Sequence, residues 1–216
     1  MERIKSLIAT FVSALLAGLM IGVGGTVYLS VNDPVIGSLL FAVGLFTILI
    51  YQMSLFTGKV GYLLENKPTY ILDLIIIWVG NFIGIDTYCS ALYRFKPELT
   101  TKATDMCNLK LTQTIDQTLF LSIMCGLLMY IAVNNFKSNK SDIGKYLGVF
   151  ICVSVFILCK FEHCIADMFY FEMMNGLSIL SLTALKYIGI VTIGNSLGAI
   201  LIPISNKIIC ALNENN

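Results

Sequence analysis

Residues 160–168 read KFEHCIADM and interrupt an otherwise apolar stretch that extends from residue 146 to residue 172. The interruption places Glu162 beside His163, which is the single histidine of the chain. Ionisable side chains inside a membrane are costly, and non-helical backbone at that depth is tolerated only where protein buries it or where it lines a cavity. This segment therefore predicts a broken membrane helix with a functional group at its break.

The composition favours a membrane setting for the whole chain. Of the 216 residues, 57% are hydrophobic and 12% are charged, and the mean hydropathy is +0.84. The formal net charge of +1 comes without a long basic or acidic run, which argues against nucleic-acid binding. A spanning helix needs about 20 apolar residues, so we expect one transmembrane domain over residues 1–216 and a function inside the membrane.

The apolar stretches predict six membrane crossings. They lie at residues 7–31, 35–57, 70–93, 115–133, 146–172 and 179–211. The second stretch is interrupted by MSLFTG at residues 53–58, much as the fifth is interrupted by the segment around His163. The sequence therefore predicts an all-α membrane protein with six transmembrane helices, of which helices 2 and 5 are broken. Residues 94–112 form the longest polar connection.

The two halves of the chain resemble each other. VGNFIG at residues 79–84 in the third span matches IGNSLG at residues 193–198 in the sixth. A three-span unit crosses the membrane an odd number of times, so its two copies must be inverted, with the solute path at their interface. We expect the repeats to cover about residues 6–93 and 113–211. The matched asparagines, Asn81 and Asn195, are expected to satisfy backbone groups freed at the breaks.

Basic residues predict the orientation. An even number of crossings places both termini on one side, and most lysines and arginines share that side. They are Arg3, Lys5, Lys59, Lys67, Lys137, Lys140, Lys145 and Lys207. The positive-inside rule then predicts a multi-pass protein of the plasma membrane with cytoplasmic N- and C-termini.

Three motifs in order resemble the formate/nitrite transporter family over nearly the whole chain. They are the break at Leu55, Phe56 and Thr57, the sequence FEHCIADM at residues 161–168, and TIGNSLG at residues 192–198. The resemblance implies an aquaporin-like protomer in a homopentamer, each protomer having its own pore for small monovalent anions.

The resemblance also implies the pore residues. Leu55, Phe56 and Thr57 match a loop that projects into the pore, and His163 matches a central histidine beside Glu162. Constriction residues are matched by Phe41, Leu45 and Phe156, and a vestibule lysine by Lys110; Met129 completes the predicted pore set with Asn81 and Asn195.

Several residues depart from the family pattern. Gly126 stands where many members have a pore-facing asparagine, which predicts a missing or replaced polar contact. Asp167 replaces a common asparagine, and Lys160 replaces the usual glycine before Phe161. Two interpretations of Lys160 stay open here: an ion pair with Asp86 in the third span, or a place in the external vestibule where it attracts anions.

The cysteines are interpreted mainly as small core residues. Cys89 and Cys107 flank or occupy the polar connection, so a disulfide between them is an open alternative if that connection faces an oxidising compartment. The chain has no Cys-x-x-Cys pair. We expect no metal and no cofactor.

The predicted mechanism is proton-coupled passage of a weak acid. An unpaired anion cannot cross apolar constrictions cheaply, and an imidazole titrates near neutral pH, so His163 with Thr57 could supply a proton or a hydrogen bond. Formate, nitrite, hydrosulfide, acetate and lactate all fit. The bilayer and four further copies of the chain are the expected partners. His163 could instead only hydrogen-bond the interrupted backbone.

Three alternatives to a channel are considered: an intramembrane protease, a haem-bearing electron carrier and a non-transporting scaffold. An intramembrane serine protease would need an activated serine, and no Gly-x-Ser-Gly occurs. A haem-bearing electron carrier would ordinarily need more than one histidine. A non-transporting scaffold would not need Glu162 and His163 at a helix break. We therefore expect no enzymatic activity and no catalytic residues.

Overall fold

The computed structural model describes residues 2–174 and 179–214, and throughout these residues the regular structure is helical. The predicted domain limits at residues 1 and 216 lie outside the described residues. The α-helices are α1 (Glu2–Ser30), α2 (Pro34–Phe41), α3 (Val43–Ile50), α4 (Phe56–Lys59), α5 (Tyr70–Phe95), α6 (Leu99–Leu111), α7 (Ile115–Ser138), α8 (Asp142–Leu158), α9 (Cys164–Glu172) and α10 (Leu182–Glu214), with a 3-10 helix at Val60–Glu65.

Among the described residues, four helices are long and apolar enough to cross a membrane: α1, α5, α7 and α10. A shorter apolar helical segment extends over Pro34–Ile50. These elements coincide with the predicted apolar stretches. Residues 51–55 separate α3 from α4, and residues 159–163 separate α8 from α9, where the sequence predicts interruptions.

N-cap residues and a proline mark the starts of several helices. Asp33 is the N-cap of α2, and its carboxylate accepts hydrogen bonds of 2.9 Å from the backbone N–H groups of Val35 and Ile36. Pro34 follows at the first helical position, where the missing N–H costs nothing. Thr114 and Ser141 cap α7 and α8 in the same way.

Within each half of the chain the two long helices pack together, α1 on α5 and α7 on α10. Glycines permit this close approach. A Cβ added to Gly18 would lie 2.0 Å from the carbonyl oxygen of Asn81, and one added to Gly126 would lie 2.1 Å from that of Asn195. Gly126 therefore packs against α10. The expectation that it leaves a polar solute contact missing or replaced stays a prediction.

The connection at residues 94–112 contains a helix, α6, that the polar sequence did not indicate. Lys102 anchors it, because its Nζ donates to the carbonyl of Leu29 and to Oδ1 of Asn32, both at 3.0 Å, at the end of α1. The buried face of α6 includes Cys107. This attachment places Lys110, at the C-terminal end of α6, over α9.

Candidate functional site: a buried threonine–histidine pair between two cavities

Thr57 and His163 meet in the interior. Thr57 Oγ1 lies 2.8 Å from His163 Nε2, and the two residues are 1% and 2% exposed. Thr57 lies in the first turn of α4, and His163 is the N-cap of α9, so two helix starts converge on the pair. The backbone N–H of Ala166 donates to His163 Nδ1 at 3.1 Å. A neutral ring that accepts at Nδ1 carries its proton on Nε2 and donates it to Thr57.

Asn81 holds the chain on the Thr57 side of the pair. Its Oδ1 accepts from the backbone N–H of Phe56 at 2.9 Å. Its Nδ2 donates to the carbonyls of Ser54 at 2.9 Å and Ala14 at 2.7 Å. The side chain therefore satisfies backbone groups of residues 51–56 that no helix satisfies, as the sequence predicts.

Asn195 does the same on the His163 side. Its Oδ1 accepts from the backbone N–H of Cys164 at 2.9 Å, and its Nδ2 donates to the carbonyls of Glu162 at 2.7 Å and Ser122 at 2.8 Å. Both asparagines are completely buried. The matched motifs thus place the same amide in the same role at both interruptions.

A cavity of about 400 Å³, here called the Lys110 cavity, ends on one side of the pair. Phe41, Phe156, Lys110, Glu162 and His163 are among its lining residues. The rings of Phe41 and Phe156 meet edge to face with centroids 6.0 Å apart, and the Phe156 ring stacks on the His163 ring at 5.7 Å. The two aromatic rings and His163 therefore form one continuous part of the cavity lining.

A second cavity of about 440 Å³, here called the Lys137 cavity, reaches the chain on either side of Thr57. It is lined by Leu45 and by Leu55 and Gly58, which flank Thr57 in the chain. Lys59 and Lys137 lie on the same wall. Since His163 lines one cavity and the neighbours of Thr57 line the other, the Thr57–His163 pair separates them.

Two predicted pore residues lie elsewhere. Phe56 is buried but lines a separate apolar recess with Trp78 and Val60. Met129 is 1% exposed and lines neither the Lys110 cavity nor the Lys137 cavity. The neighbours of Phe56 are placed differently, because Leu55 lines the Lys137 cavity and Thr57 contacts His163. A pore role for Phe56 and Met129 stays a prediction.

Lys110 is paired, which the sequence did not indicate. Its Nζ contacts Glu162 Oε2 and lies 3.0 Å from Asp167 Oδ1. Gln113 Nε2 donates to Glu162 Oε1 at 2.7 Å. Burial alone lowers the pKa of Lys110, but the carboxylates of Asp167 and Glu162 raise it above the ordinary lysine value. The ammonium is therefore charged, and its charge is shared with two carboxylates.

Sequence reasoning missed Asp167 and Gln113 as members of this cluster. The sequence positions of both residues are consistent with this placement. Asp167 is an acidic residue four positions after His163, where both face the same cavity wall, and Gln113 follows Lys110 by three residues at the end of α6. Their partners come from a distant part of the chain, so spacing alone could not join them.

The structure bears on the open alternatives for Lys160 and the cysteines. Among the residues that the structure describes, Lys160 and Asp86 form no ion pair, and Lys160 lines the Lys110 cavity. The ion pair with Asp86 is therefore absent, and the attraction of anions by Lys160 stays a prediction. Cys89 and Cys107 are both buried free thiols, so no disulfide joins them.

Comparison with known proteins gives consistent matches. A family model described as formate/nitrite transporter matches residues 2–206. The formate channel FocB of Escherichia coli (strain K12) is 26% identical over 188 residues, which cover 76% of this chain and 66% of that protein. The formate channel FocA of Haemophilus influenzae is 27% identical over 152 residues, covering 64% of this chain and 53% of that protein. The chain thus spans about half to two thirds of the length of these relatives.

Solved structures share the fold. A pentameric formate channel with formate bound matches with a TM-score of 0.81 at 23% sequence identity, covering 96% of this chain and 98% of that chain. An FNT family ion channel matches with a TM-score of 0.80 at 20% identity, covering 90% of this chain and 87% of that chain. At such identities the likeness establishes the fold alone.

Proposed function

Because this chain belongs to the formate/nitrite transporter family, we propose that it is a channel for small monovalent weak-acid anions of the formate, nitrite, hydrosulfide, acetate or lactate class. The relatives that it matches are named as formate channels. The chain is a multi-pass membrane protein. The observation that carries the proposal is the buried hydrogen bond between Thr57 and His163, which lies between two cavities.

The surroundings of the pair favour a solute that loses its charge on the way. Phe41 and Phe156 stand before the pair on one side, and Leu45 and Leu55 on the other. A bare anion among such side chains is strongly disfavoured, whereas a protonated weak acid is not. Since His163 donates to Thr57, the Thr57 hydroxyl can direct its own hydrogen toward the arriving anion.

Proton coupling is proposed to occur at His163. An imidazolium formed by uptake of a proton from water at Nδ1 would lose that Nδ1 proton to the anion, and the ring would return to the neutral form that donates from Nε2 to Thr57. Protonating Nδ1 requires the ring to release the backbone N–H of Ala166, so the charged form is transient. The movement is then electroneutral, and the gradients of solute and proton together drive it.

The role of Lys110 differs from a free vestibule charge. The ion pairs with Glu162 and Asp167 hold the ammonium on the cavity wall and reduce its field at the mouth. Lys160, which is exposed and lines the same cavity, is the better candidate for attracting an anion to the entrance.

The proposed architecture has six spans as two inverted three-helix repeats, in one transmembrane domain. The second span would consist of α2, α3 and α4, and the fifth of α8 and α9. Two observations support the inversion. Asn81 and Asn195 make equivalent hydrogen bonds. Trp78, three residues before Asn81, donates from Nε1 at 3.1 Å to Thr192, which is three residues before Asn195. Cytoplasmic termini in the plasma membrane, with the Lys110 cavity outside, follow from the basic residues.

Assembly as a homopentamer is proposed from the solved relative that is described as pentameric. The large apolar side chains exposed on α1, α2 and α5 need lipid or protein neighbours, which fits packing between protomers. An enzyme remains the alternative class. It would require a reacting nucleophile beside His163, and the hydroxyl that His163 contacts, Thr57, is buried between the two cavities.

Uptake by purified protein in liposomes tests the function. A formate gradient should drive uptake above that of protein-free liposomes, with no chemical product. His163→Asn keeps a hydrogen-bond donor toward Thr57 but cannot titrate, so we expect residual, slower uptake. His163→Phe removes both the hydrogen-bond donor and the titratable group. We expect this variant to assemble as a pentamer but to give no uptake. Wild-type uptake in both variants would assign His163 a purely structural role.

A further inference from the structure

The charged cluster on the wall of the Lys110 cavity carries one negative charge too many. Lys110 supplies one positive charge, and Glu162 and Asp167 supply two carboxylates, which are 1% exposed in both residues. A buried excess charge is costly unless it is paired or neutralised. Such a cluster would also repel an anion in the same cavity. A single bound proton removes both difficulties.

The hydrogen bonds indicate which oxygen can hold that proton. Both oxygens of Glu162 already accept, one from Lys110 and one from Gln113. Asp167 Oδ1 lies 3.0 Å from Lys110 Nζ. Asp167 Oδ2 is buried and has no hydrogen-bond partner among the described residues. Asp167 Oδ2 is therefore the carboxylate oxygen of this cluster that is free to hold a proton.

The other groups around Asp167 do not supply a balancing charge. Lys160 and His163 line the same cavity, but Lys160 is exposed and His163 donates to Thr57. The remaining neighbours are neutral thiols and phenols, namely Cys107 from α6, Cys125 from α7, Cys164 and Tyr170 in α9, and Tyr187 from α10. The charge balance of the cluster therefore depends on the three residues themselves.

We propose that Asp167 is a proton-binding residue that sets the charge of the Lys110 cavity and so controls anion entry. With a proton on Asp167 the cluster is neutral and the cavity admits an anion. Without it the cluster is negative and repels one. The inference rests on the proposed channel function. It adds a second protonation site, separate from His163, and gives a sign: entry is favoured at low pH and falls as pH rises.

Asp167→Asn tests this inference, because the amide keeps the shape and the bond to Lys110 but cannot carry the extra charge. Formate uptake is measured with the same pH on both sides of the liposome, at pH 6 and at pH 8. One repelling charge should lower entry about tenfold. We therefore expect the ratio of uptake at pH 6 to uptake at pH 8 to be about tenfold smaller in Asp167→Asn than in wild type. Asp105→Asn, an exposed carboxylate of α6, should keep the wild-type ratio.

An unchanged ratio in an assembled Asp167→Asn protein would overturn the inference and leave the channel function standing. If the wild-type protein gave no formate uptake above that of protein-free liposomes, the channel function itself would be rejected. Infrared difference spectroscopy of the wild-type protein tests Asp167 without transport or mutation. A protonated-carboxyl band that shifts when aspartate is labelled with a heavy carbon isotope should be present at pH 6 and absent at high pH. No such band at any pH would overturn the inference.

Discussion

The interruption at residues 51–55 and the interruption at residues 159–163 are held alike but carry different chemistry. In each, a buried asparagine accepts from the first N–H of the following helix and donates to two carbonyls. The first interruption presents a neutral hydroxyl, Thr57. The second presents His163 and adjoins the buried charges around Lys110. The framework is thus repeated, whereas the titratable groups occur in the second half.

The strongest test of the shared framework is removal of the asparagine side chains. Asn81→Ala and Asn195→Ala each leave two backbone groups at an interruption without a partner, at about 1–3 kcal/mol for each group. We expect both variants to lower stability by similar, large amounts, measured as thermal unfolding in detergent. Asn108→Ala, on the exposed side of α6, is the control and should unfold like wild type. A large loss at only one of the two positions would break the equivalence of the halves.

The charged cluster distinguishes the second half. Lys110→Met leaves Glu162 and Asp167 buried without a cation, and breaking a buried pair costs about 3–5 kcal/mol. The triple variant Lys110→Met, Glu162→Gln, Asp167→Asn removes all three charges and should regain most of that stability. The measurement is again thermal unfolding. A triple variant no more stable than Lys110→Met would show that packing, not charge, explains the loss.

Smaller effects are expected where the helices of each half touch. Gly18→Ala and Gly126→Ala place a methyl group against a backbone carbonyl, which pushes α1 away from α5 and α7 away from α10. We expect each substitution to lower the free energy of unfolding by about 1–3 kcal/mol. Gly189→Ala is the matched control, because nothing lies within 4 Å of its added Cβ. The control should be neutral or slightly stabilising. Equal stability of all three variants would contradict the close packing.

The smallest effect is expected from Thr57→Ser. Serine keeps the hydroxyl between His163 and the solute, so formate uptake should stay close to wild type. Thr57→Val keeps the shape and removes the hydroxyl, and we expect its uptake to be strongly reduced. Similar uptake by both variants would remove the Thr57 hydroxyl from the mechanism.

Much of the fold could be predicted because a membrane helix requires a long apolar stretch, which is visible in the local hydropathy of the sequence. The matched motifs around Asn81 and Asn195 also identified the residues that hold the two interruptions. The pairing of Lys110 with Glu162 and Asp167 could not be predicted, because it joins α6 to a segment about fifty residues later through tertiary packing. The packing of Phe56 beside Trp78 and Val60 could not be predicted either, because the turn into α4 sets the direction of this side chain.

The measurement that tests the central claim most directly is steady-state accumulation of formate under an imposed membrane potential, with equal pH on both sides. A single charge crossing 100 mV gains about 2.3 kcal/mol, which corresponds to roughly fiftyfold accumulation of a bare anion. If the solute takes up one proton at the Thr57–His163 pair, passage is electroneutral and the accumulation ratio should not change with potential. A ratio that rises toward fiftyfold when the interior is positive would show that the anion crosses without a proton, and would contradict the account.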